Sequence, residues 1–323
     1  MSDYIFNEKD KFLVEKLKEF LPNKIFDSHM HVFNKKNDEL FKATIGSYND
    51  DLSMLLKGKE LYYNAIIMPN MLLTDKLERD KAVDFLVEEL NNVKNAYGEI
   101  LVLKNDTEED VKRLIRHDKI RGIKCYYYYA DCEDKTNSNV YDYLPLSALK
   151  VANEKKMYVT IHLVKDDALA NKENINQIKE ISKNYPNITI ILAHVGRSFA
   201  GWTLFDGIDN FVDCENVFFD FSAICESPQI AYAIKKVGVK RCLWGSDYPI
   251  SMFEGKAVSI GTGFYWIGEN DIKKFNSFNA ENALHVFTEN LLAVRQACML
   301  LDVDKKGVED IFFNNMFRLV NQK

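Results

Sequence analysis

The stretch KIFDSHMHVF, residues 24–33, places Asp27, His29 and His31 in a run that is otherwise mostly apolar. Its composition is typical of a buried β-strand, and side chains alternate along a strand, so these three groups are predicted to share one face. Burying ionisable groups together is costly unless they are paired or bind a cation. The stretch therefore predicts a functional site on a strand, with Asp27 orienting one of the two imidazoles.

Seven further runs rich in Ile, Val, Tyr and Phe follow, and charged stretches with helical spacing separate them. Near-continuous apolar runs are typical of parallel strands that are covered on both faces. Eight strand–helix units in series predict a (β/α)8 TIM-type barrel, and Asp75 and Thr107 are predicted helix N-caps. A doubly wound open sheet is the alternative. The eight runs are residues 24–32, 62–70, 99–105, 120–128, 157–164, 188–196, 217–224 and 241–249.

Three segments fall outside this repeat. Residues 34–60, with a short helix, and residues 250–278 follow the first and eighth strands, so both are expected to wall the C-terminal mouth of the barrel. Residues 279–323 are predicted to form a C-terminal helical extension. Because no linker-like stretch interrupts the chain, residues 1–323 are predicted to be a single barrel domain.

The bulk composition argues against several classes of partner. A net charge of −6 supplies no basic field for nucleic acid or an anionic membrane, and no apolar run approaches the length of a bilayer span. The six cysteines form no CxxC pair, and the N-terminus has no apolar signal segment, so we expect reduced thiols and a cytoplasmic protein. No phosphate-binding glycine motif precedes a helix, which argues against an organic nucleotide cofactor.

Further ionisable groups lie near the ends of other predicted strands. His162, His194 and Asp247 lie near the ends of the fifth, sixth and eighth runs, so they should meet the histidines of the first run at one mouth of the barrel. Imidazole and carboxylate together suit Zn²⁺ and, less tightly, Mn²⁺ or Fe²⁺. The remaining histidines, His117 and His285, are predicted to lie in helices as surface or packing residues.

Four motifs in this order, DSHMH, IHLV, LAHVGR and LWGSDYP, resemble the amidohydrolase superfamily. The likeness is greatest to its family-2 branch, which includes the aminocarboxymuconate-semialdehyde and resorcylate decarboxylases. It extends from about residue 24 to FFNNMFRLV near the end of the chain. The resemblance implies that His29, His31, His162 and Asp247 bind a divalent metal, Zn²⁺ before Mn²⁺ or Fe²⁺. It also implies that His194 and Asp247 act as acid and base.

The resemblance implies a metal-dependent hydrolase. A metal-bound hydroxide would attack an amide, ester or lactone of a small carboxylated substrate. The alternative is a metal-dependent, non-oxidative decarboxylase of an unsaturated or aromatic carboxylic acid. A barrel without activity and a metal-free acid–base enzyme also remain open. No organic cofactor is expected, and relatives that form dimers or tetramers leave a homo-oligomer open.

Three interpretations are open for Lys124, which lies on the fourth predicted strand. A lysine there is carboxylated in binuclear relatives and bridges two metals, but it can also bind a substrate anion or extend to the barrel mouth. Arg197 would bind a substrate carboxylate, unless it is an ordinary surface arginine. Aromatic side chains are predicted to line the pocket, namely Tyr126, Tyr128, Trp202, Tyr248, Phe264 and Trp266.

Overall fold

A barrel of eight parallel strands dominates the computed structural model, which describes residues 8–33, 43–69, 75–274 and 283–322. Each strand pairs with the next one along the chain, so the sheet has the order β1 to β8. Each of the eight predicted runs overlaps a strand, although β2 and β3 begin two and three residues before their predicted runs. The strands are Lys24–Val32 (β1), Glu60–Ile67 (β2), Ala96–Leu101 (β3), Ile120–Cys125 (β4), Tyr158–Ile161 (β5), Thr189–Leu192 (β6), Val217–Asp220 (β7) and Cys242–Leu243 (β8).

Helices alternate with these strands, and Asp75 and Thr107 cap two of them as predicted, accepting from the backbone N–H of Glu78 and Asp110. Short 3₁₀ turns complete the connections. The helices are Glu8–Phe20 (α1), Ile45–Asp51 (α2), Ser53–Leu56 (α3), Lys76–Asn92 (α4), Glu108–Leu114 (α5), Val140–Tyr143 (α6), Leu146–Lys155 (α7), Lys172–Asn184 (α8), His194–Arg197 (α9), Gly201–Gly207 (α10), Ser227–Val237 (α11), Glu269–Lys274 (α12), Val286–Leu300 (α13), Lys305–Glu309 (α14) and Asn315–Val320 (α15). No helix in the described ranges is long and apolar enough to cross a bilayer.

Backbone hydrogen bonds between β1 and the segment that begins at β8 close the barrel. Trp244 O accepts from Ser28 N at 3.1 Å, and Asp247 N donates to His29 O at 2.7 Å. His31 N donates to Tyr248 O at 2.7 Å. These bonds confirm the barrel over an open doubly wound sheet, in which the first and last strands would lie apart.

A bulge in β1 changes which residues share a face. The pairing with β2 shifts register between Asp27 and Met30, so the simple alternation of side chains is lost there. Phe26 packs in the barrel floor with Tyr158, whereas Asp27 lies beside Tyr48 of the outer helix α2. The prediction that Asp27 shares a face with the two histidines, and orients one of them, is therefore wrong.

The described parts of the segments outside the repeat pack at the two ends of the barrel. After β8 the chain forms an antiparallel hairpin, Gly255–Ile260 (β9) and Gly263–Gly268 (β10), which was not foreseen. Helices α2 and α3 lie within residues 34–60, whereas residues 34–42 and 275–282 lie outside the described residues. The predicted helical extension is confirmed from α13 onwards, and α15 helps to close the barrel floor.

The two remaining histidines do not lie inside helices, contrary to expectation. His117 lies in the connection after α5, which ends at Leu114, and its Nε2 is 3.0 Å from Asn91 Oδ1. His285 is the N-cap of α13, and its backbone forms an isolated bridge with Glu254 just before the helix begins.

Candidate metal centre and active site

His29, His31 and Asp247 form a buried cluster where the C-terminal end of β1 meets the loop after β8. Asp247 Oδ1 lies 3.2 Å from His31 Nε2 and 3.7 Å from His29 Nε2. The candidate ligand atoms of all three residues lie within 4.8 Å of one another. Asp247 has a left-handed backbone with φ of 61°, and its N–H is bound to His29 O. This strained conformation turns its carboxylate towards the imidazoles.

The His29 ring is held from both sides. Its Nδ1 lies 2.7 Å from Asp220 Oδ2 at the end of β7, and because a carboxylate can only accept, Nδ1 carries the proton. Lys124 Nζ donates to the opposite nitrogen, Nε2, at 3.4 Å. The tautomer set by Asp220 leaves the lone pair on Nε2, so Nε2, which Lys124 also contacts, is the nitrogen of this ring that could bind a metal.

His194 stands beside this cluster. Its ring centroid is 5.2 Å from that of His29, and its Nδ1 donates to Ser222 O at 2.9 Å. The Ser222 hydroxyl donates to Asp220 and also lies 3.2 Å from His29 Nδ1. With Nδ1 used as a donor, Nε2 of His194 is the nitrogen that can accept or deliver a proton.

The predicted fourth ligand, His162, lies next to the cluster but not within it. Its ring centroid is 5.2 Å from that of His194 and 4.8 Å from that of Tyr126. In the described part of the chain, its buried Nδ1 has no hydrogen-bond partner. An orphaned buried nitrogen needs an explanation, and a metal ligand position is one.

Burial sets the protonation of the cluster. It lowers the pKa of His29 to about 4, with the nearby Lys124 adding to the shift, and it lowers the pKa values of His31 and His162. Burial alone would raise the pKa of Asp247, but His194, His31 and His29 outweigh it and bring that pKa to about 2. Neutral imidazoles and an ionised carboxylate are the forms that bind a metal.

A polar layer lies beneath the cluster. Glu99 accepts from Asn64 Nδ2 at 2.6 Å and from Thr160 Oγ1 at 2.9 Å, and burial raises its pKa to about 7. Asp220 and Asp247 are ionised and Glu99 is about half protonated at neutral pH, so Lys124 leaves more than one buried negative charge on these three groups. A divalent cation would offset that charge. The donor set and the charge therefore fit a divalent metal.

Lys124 is buried in this layer, and its Nζ lies 3.4 Å from His29 Nε2 of the cluster. Nearby carboxylates raise its pKa, Glu99 most of all, but burial outweighs them and lowers it. Asp220 and Ser222 were not predicted as site residues. Asp220 could have been recognised as the one charged residue in the apolar run 217–224, but Ser222 carried no such signal.

Two further predicted residues, Arg197 and Phe264, lie near the site and contact each other. Arg197 Nη1 donates to Lys165 O at 3.0 Å, and its guanidinium lies over the Phe264 ring at 5.7 Å. Phe199 links the hairpin to the site, because its ring centroid is 5.5 Å from that of His194 and 4.9 Å from that of Phe264. The hairpin thus places the Phe264 ring against Phe199, which lies beside His194.

Two predicted aromatic residues have their polar atoms bound elsewhere. Trp202 Nε1 donates to Thr262 O at 2.7 Å, at the turn of the hairpin. The Tyr248 hydroxyl lies 2.8 Å from Asp51 Oδ2 and 2.9 Å from Ser47 Oγ, both on α2. Their role in binding substrate stays a prediction.

Comparison with known proteins identifies a family. A family model described as amidohydrolase matches residues 73–280, which contain Lys124, His162, His194 and Asp247. No protein of curated function matches the sequence.

Solved structures with low sequence identity share the fold. A Pseudomonas putida protein assigned as a 2-pyrone-4,6-dicarboxylic acid hydrolase has a TM-score of 0.57 at 15% identity, covering 94% of this chain and 100% of that one. A Burkholderia multivorans amidohydrolase with bound zinc has a TM-score of 0.60 at 11% identity, with 93% and 99% covered. A Novosphingobium aromaticivorans 5-carboxyvanillate decarboxylase with manganese has a TM-score of 0.58 at 12% identity, with 94% and 97% covered.

Proposed function

Because this chain belongs to the amidohydrolase family, we propose that it is a metal-dependent hydrolase of an amide, ester or lactone in a small carboxylated substrate. The observation that carries the proposal is the buried cluster of His29, His31 and Asp247 at the C-terminal mouth of the barrel. Active sites of barrel enzymes lie at this end. Beneath the cluster, Asp220 and Lys124 hold the His29 ring in place.

The cluster would hold the cation together with His162, whose orphaned Nδ1 is available as a further ligand. Zn²⁺ suits this imidazole-rich set best, with Mn²⁺ or Fe²⁺ as alternatives. Such a cation polarises a substrate carbonyl and lowers the pKa of the water it binds to about 7.

The chain's own side chains would move the protons. Asp247 is ionised and can accept the proton of the attacking water. A carboxylate with a pKa near 2 holds a proton poorly, so Asp247 would pass it on to His194. Since Ser222 O holds Nδ1 of His194, Nε2 would deliver this proton to the leaving group.

Substrate binding is proposed for Arg197, Lys124, Tyr126, Trp202 and Tyr248. Arg197 uses one of its five donors on Lys165 O, which leaves others for a carboxylate. Its guanidinium lies over Phe264, and Phe264 in turn contacts Phe199 beside His194. This chain of contacts favours Arg197 as the main anchor for a substrate carboxylate.

Non-oxidative decarboxylation is the second candidate, because the similar folds include 5-carboxyvanillate and 2,6-dihydroxybenzoate decarboxylases. The same site would bind the carboxylate beside the cation, and His194 would protonate the ring carbon that loses CO₂. The aromatic wall of Phe199 and Phe264 suits a flat substrate.

One experiment separates these candidates. The protein is purified without chelator, its metal content is measured, and turnover is followed on two kinds of substrate. Ring opening of 2-pyrone-4,6-dicarboxylate reports hydrolysis, and CO₂ release from 5-carboxyvanillate or 2,6-dihydroxybenzoate reports decarboxylation. Asp247→Asn should lose metal and turnover, whereas the control His117→Asn should keep both. Turnover that survives complete metal removal would refute metal dependence.

A further inference from the structure

A cavity lies at the opposite end of the barrel from the metal cluster. It has a volume of about 540 Å³, which is the size of a small-molecule site. Its walls include Ile120 and Arg121 at the start of β4, Met157 just before β5, and Leu319 in α15. At their other ends, these two strands carry Lys124 and lead to His162. Because the cavity lies at the end of the barrel opposite the metal cluster, we call it the basal cavity.

The basal cavity is strongly cationic in a chain whose net charge is −6. Five basic side chains line it against two acidic ones, Asp118 and Glu154. Glu154 pairs with Lys155 at 2.9 Å and with Lys112 at 3.8 Å, and Lys112 also lies 3.7 Å from Glu108. The excess of positive charge on the cavity wall therefore rests mainly on Arg116 and Arg121. The five are Lys112, Arg116, Arg121, Lys155 and Lys156.

Helix ends explain part of this charge. Lys112 and Lys155 lie in the last turns of α5 and α7, where a cation complements the helix dipole. Arg121 has no such explanation, because it belongs to a strand.

The Arg121 guanidinium lacks partners of the kind that Arg79 and Arg241 have. Its Nε is buried without a hydrogen-bond partner among the described residues. By contrast, Arg79 makes four hydrogen bonds, to Asp106, Asp80 and Leu101 O, and Arg241 donates to four backbone carbonyls. A buried donor left open beside a cationic cavity points to an absent anion.

The floor of the basal cavity is apolar. Ile120, Met157 and Leu319 line it, and all three are buried. A ligand that matches both features needs a charged group for the arginines and an apolar body for the floor.

We propose that the basal cavity binds an organic anion, with its phosphate or carboxylate held by Arg121 and Arg116 and its apolar body on Ile120, Met157 and Leu319. This site is separate from the metal cluster and does not depend on the reaction proposed above.

Isothermal titration of the full-length protein with 1-naphthyl phosphate tests the proposal. We expect one saturable site, and we expect Arg121→Gln to weaken it about tenfold or more, because a charge-assisted hydrogen bond is lost. Naphthol, which lacks the charge, and inorganic phosphate, which lacks the apolar body, should each bind more weakly. The matched control is Lys183→Gln, an exposed lysine that lines a different cavity, and it should bind as the wild type does.

His31→Ala separates this site from the metal cluster, since it should keep 1-naphthyl phosphate binding while metal binding weakens. If Arg121→Gln proves unstable by thermal unfolding, Arg116→Gln takes its place, because Arg116 is exposed and its loss should not disturb the fold. The absence of saturable binding at about 1 mM probe would overturn the proposal. Unchanged affinity in the arginine variant, or loss of binding in His31→Ala, would also overturn it.

Discussion

Asp220 should control metal affinity through the His29 ring, although it is not itself in the ligand cluster. Its Oδ2 lies 2.7 Å from His29 Nδ1, and both side chains are 1% exposed. Asp220→Asn preserves volume but offers an amide that can donate as well as accept, so the Nδ1–H tautomer is no longer enforced. Loss of such an outer partner costs about 10- to 100-fold in metal affinity, or about 1.4 to 2.7 kcal/mol.

The assay is competition between the apoprotein and a chromogenic chelator for Zn²⁺. Nitrogen-15 chemical shifts of the histidine rings report the His29 tautomer in the apoprotein, independently of activity. Asp209→Asn is the control, because Asp209 is an exposed surface residue paired with Lys236. An unchanged zinc affinity in Asp220→Asn, with the His29 proton still on Nδ1, would refute the reasoning.

Three further predictions concern stability. Burial lowers the pKa of His29 from 6.5 to about 4, so between these pH values the unfolded chain binds more protons than the folded protein does. As pH falls from 6.5 to 4, the free energy of unfolding of the apoprotein should therefore decrease by up to about 3 kcal/mol more than that of His29→Asn. Urea unfolding of both proteins measures this difference. Equal losses would contradict this. Arg79→Leu should lower the free energy of unfolding in urea by about 3–5 kcal/mol. The wild-type Arg79 Nη1 lies 2.7 Å from Asp106 Oδ2, and the substitution leaves this buried carboxylate without its guanidinium partner. A cost below about 1 kcal/mol would argue against it. Gly122→Ala should lower the thermal midpoint, with a cost of about 1–3 kcal/mol, because its Cβ would lie 2.1 Å from the Tyr158 ring. An unchanged midpoint would show that Tyr158 can move aside.

Much of the architecture was predictable from local patterns. Apolar runs with helical stretches between them are repeated eight times, and each run overlaps a strand of the barrel. Asp75 and Thr107 cap helices because capping depends only on a side-chain oxygen and backbone N–H groups two or three residues ahead. His29, His31 and Asp247 were predicted together because the C-terminal ends of barrel strands converge.

Other features depended on distant contacts. The bulge in β1 arises in its pairing with β2, and it moved Asp27 off the face that strict alternation predicted. His285 lies outside α13 because its backbone pairs with the distant Glu254 before the helix begins. His117 lies outside α5 for a local reason, since that helix ends at Leu114.

The sequence by itself determined the number and order of the eight barrel strands and the residue types at their C-terminal ends, because periodicity and composition act over a few neighbouring residues. Only the tertiary structure decided that Asp220 supports His29, that Lys124 lies beneath the cluster, and that Arg121 faces a basal cavity. Asp220 and Lys124 lie 191 and 95 residues from His29, and the basal cavity is lined by residues of β4, α5, α7 and α15, so these arrangements are set by barrel closure and packing.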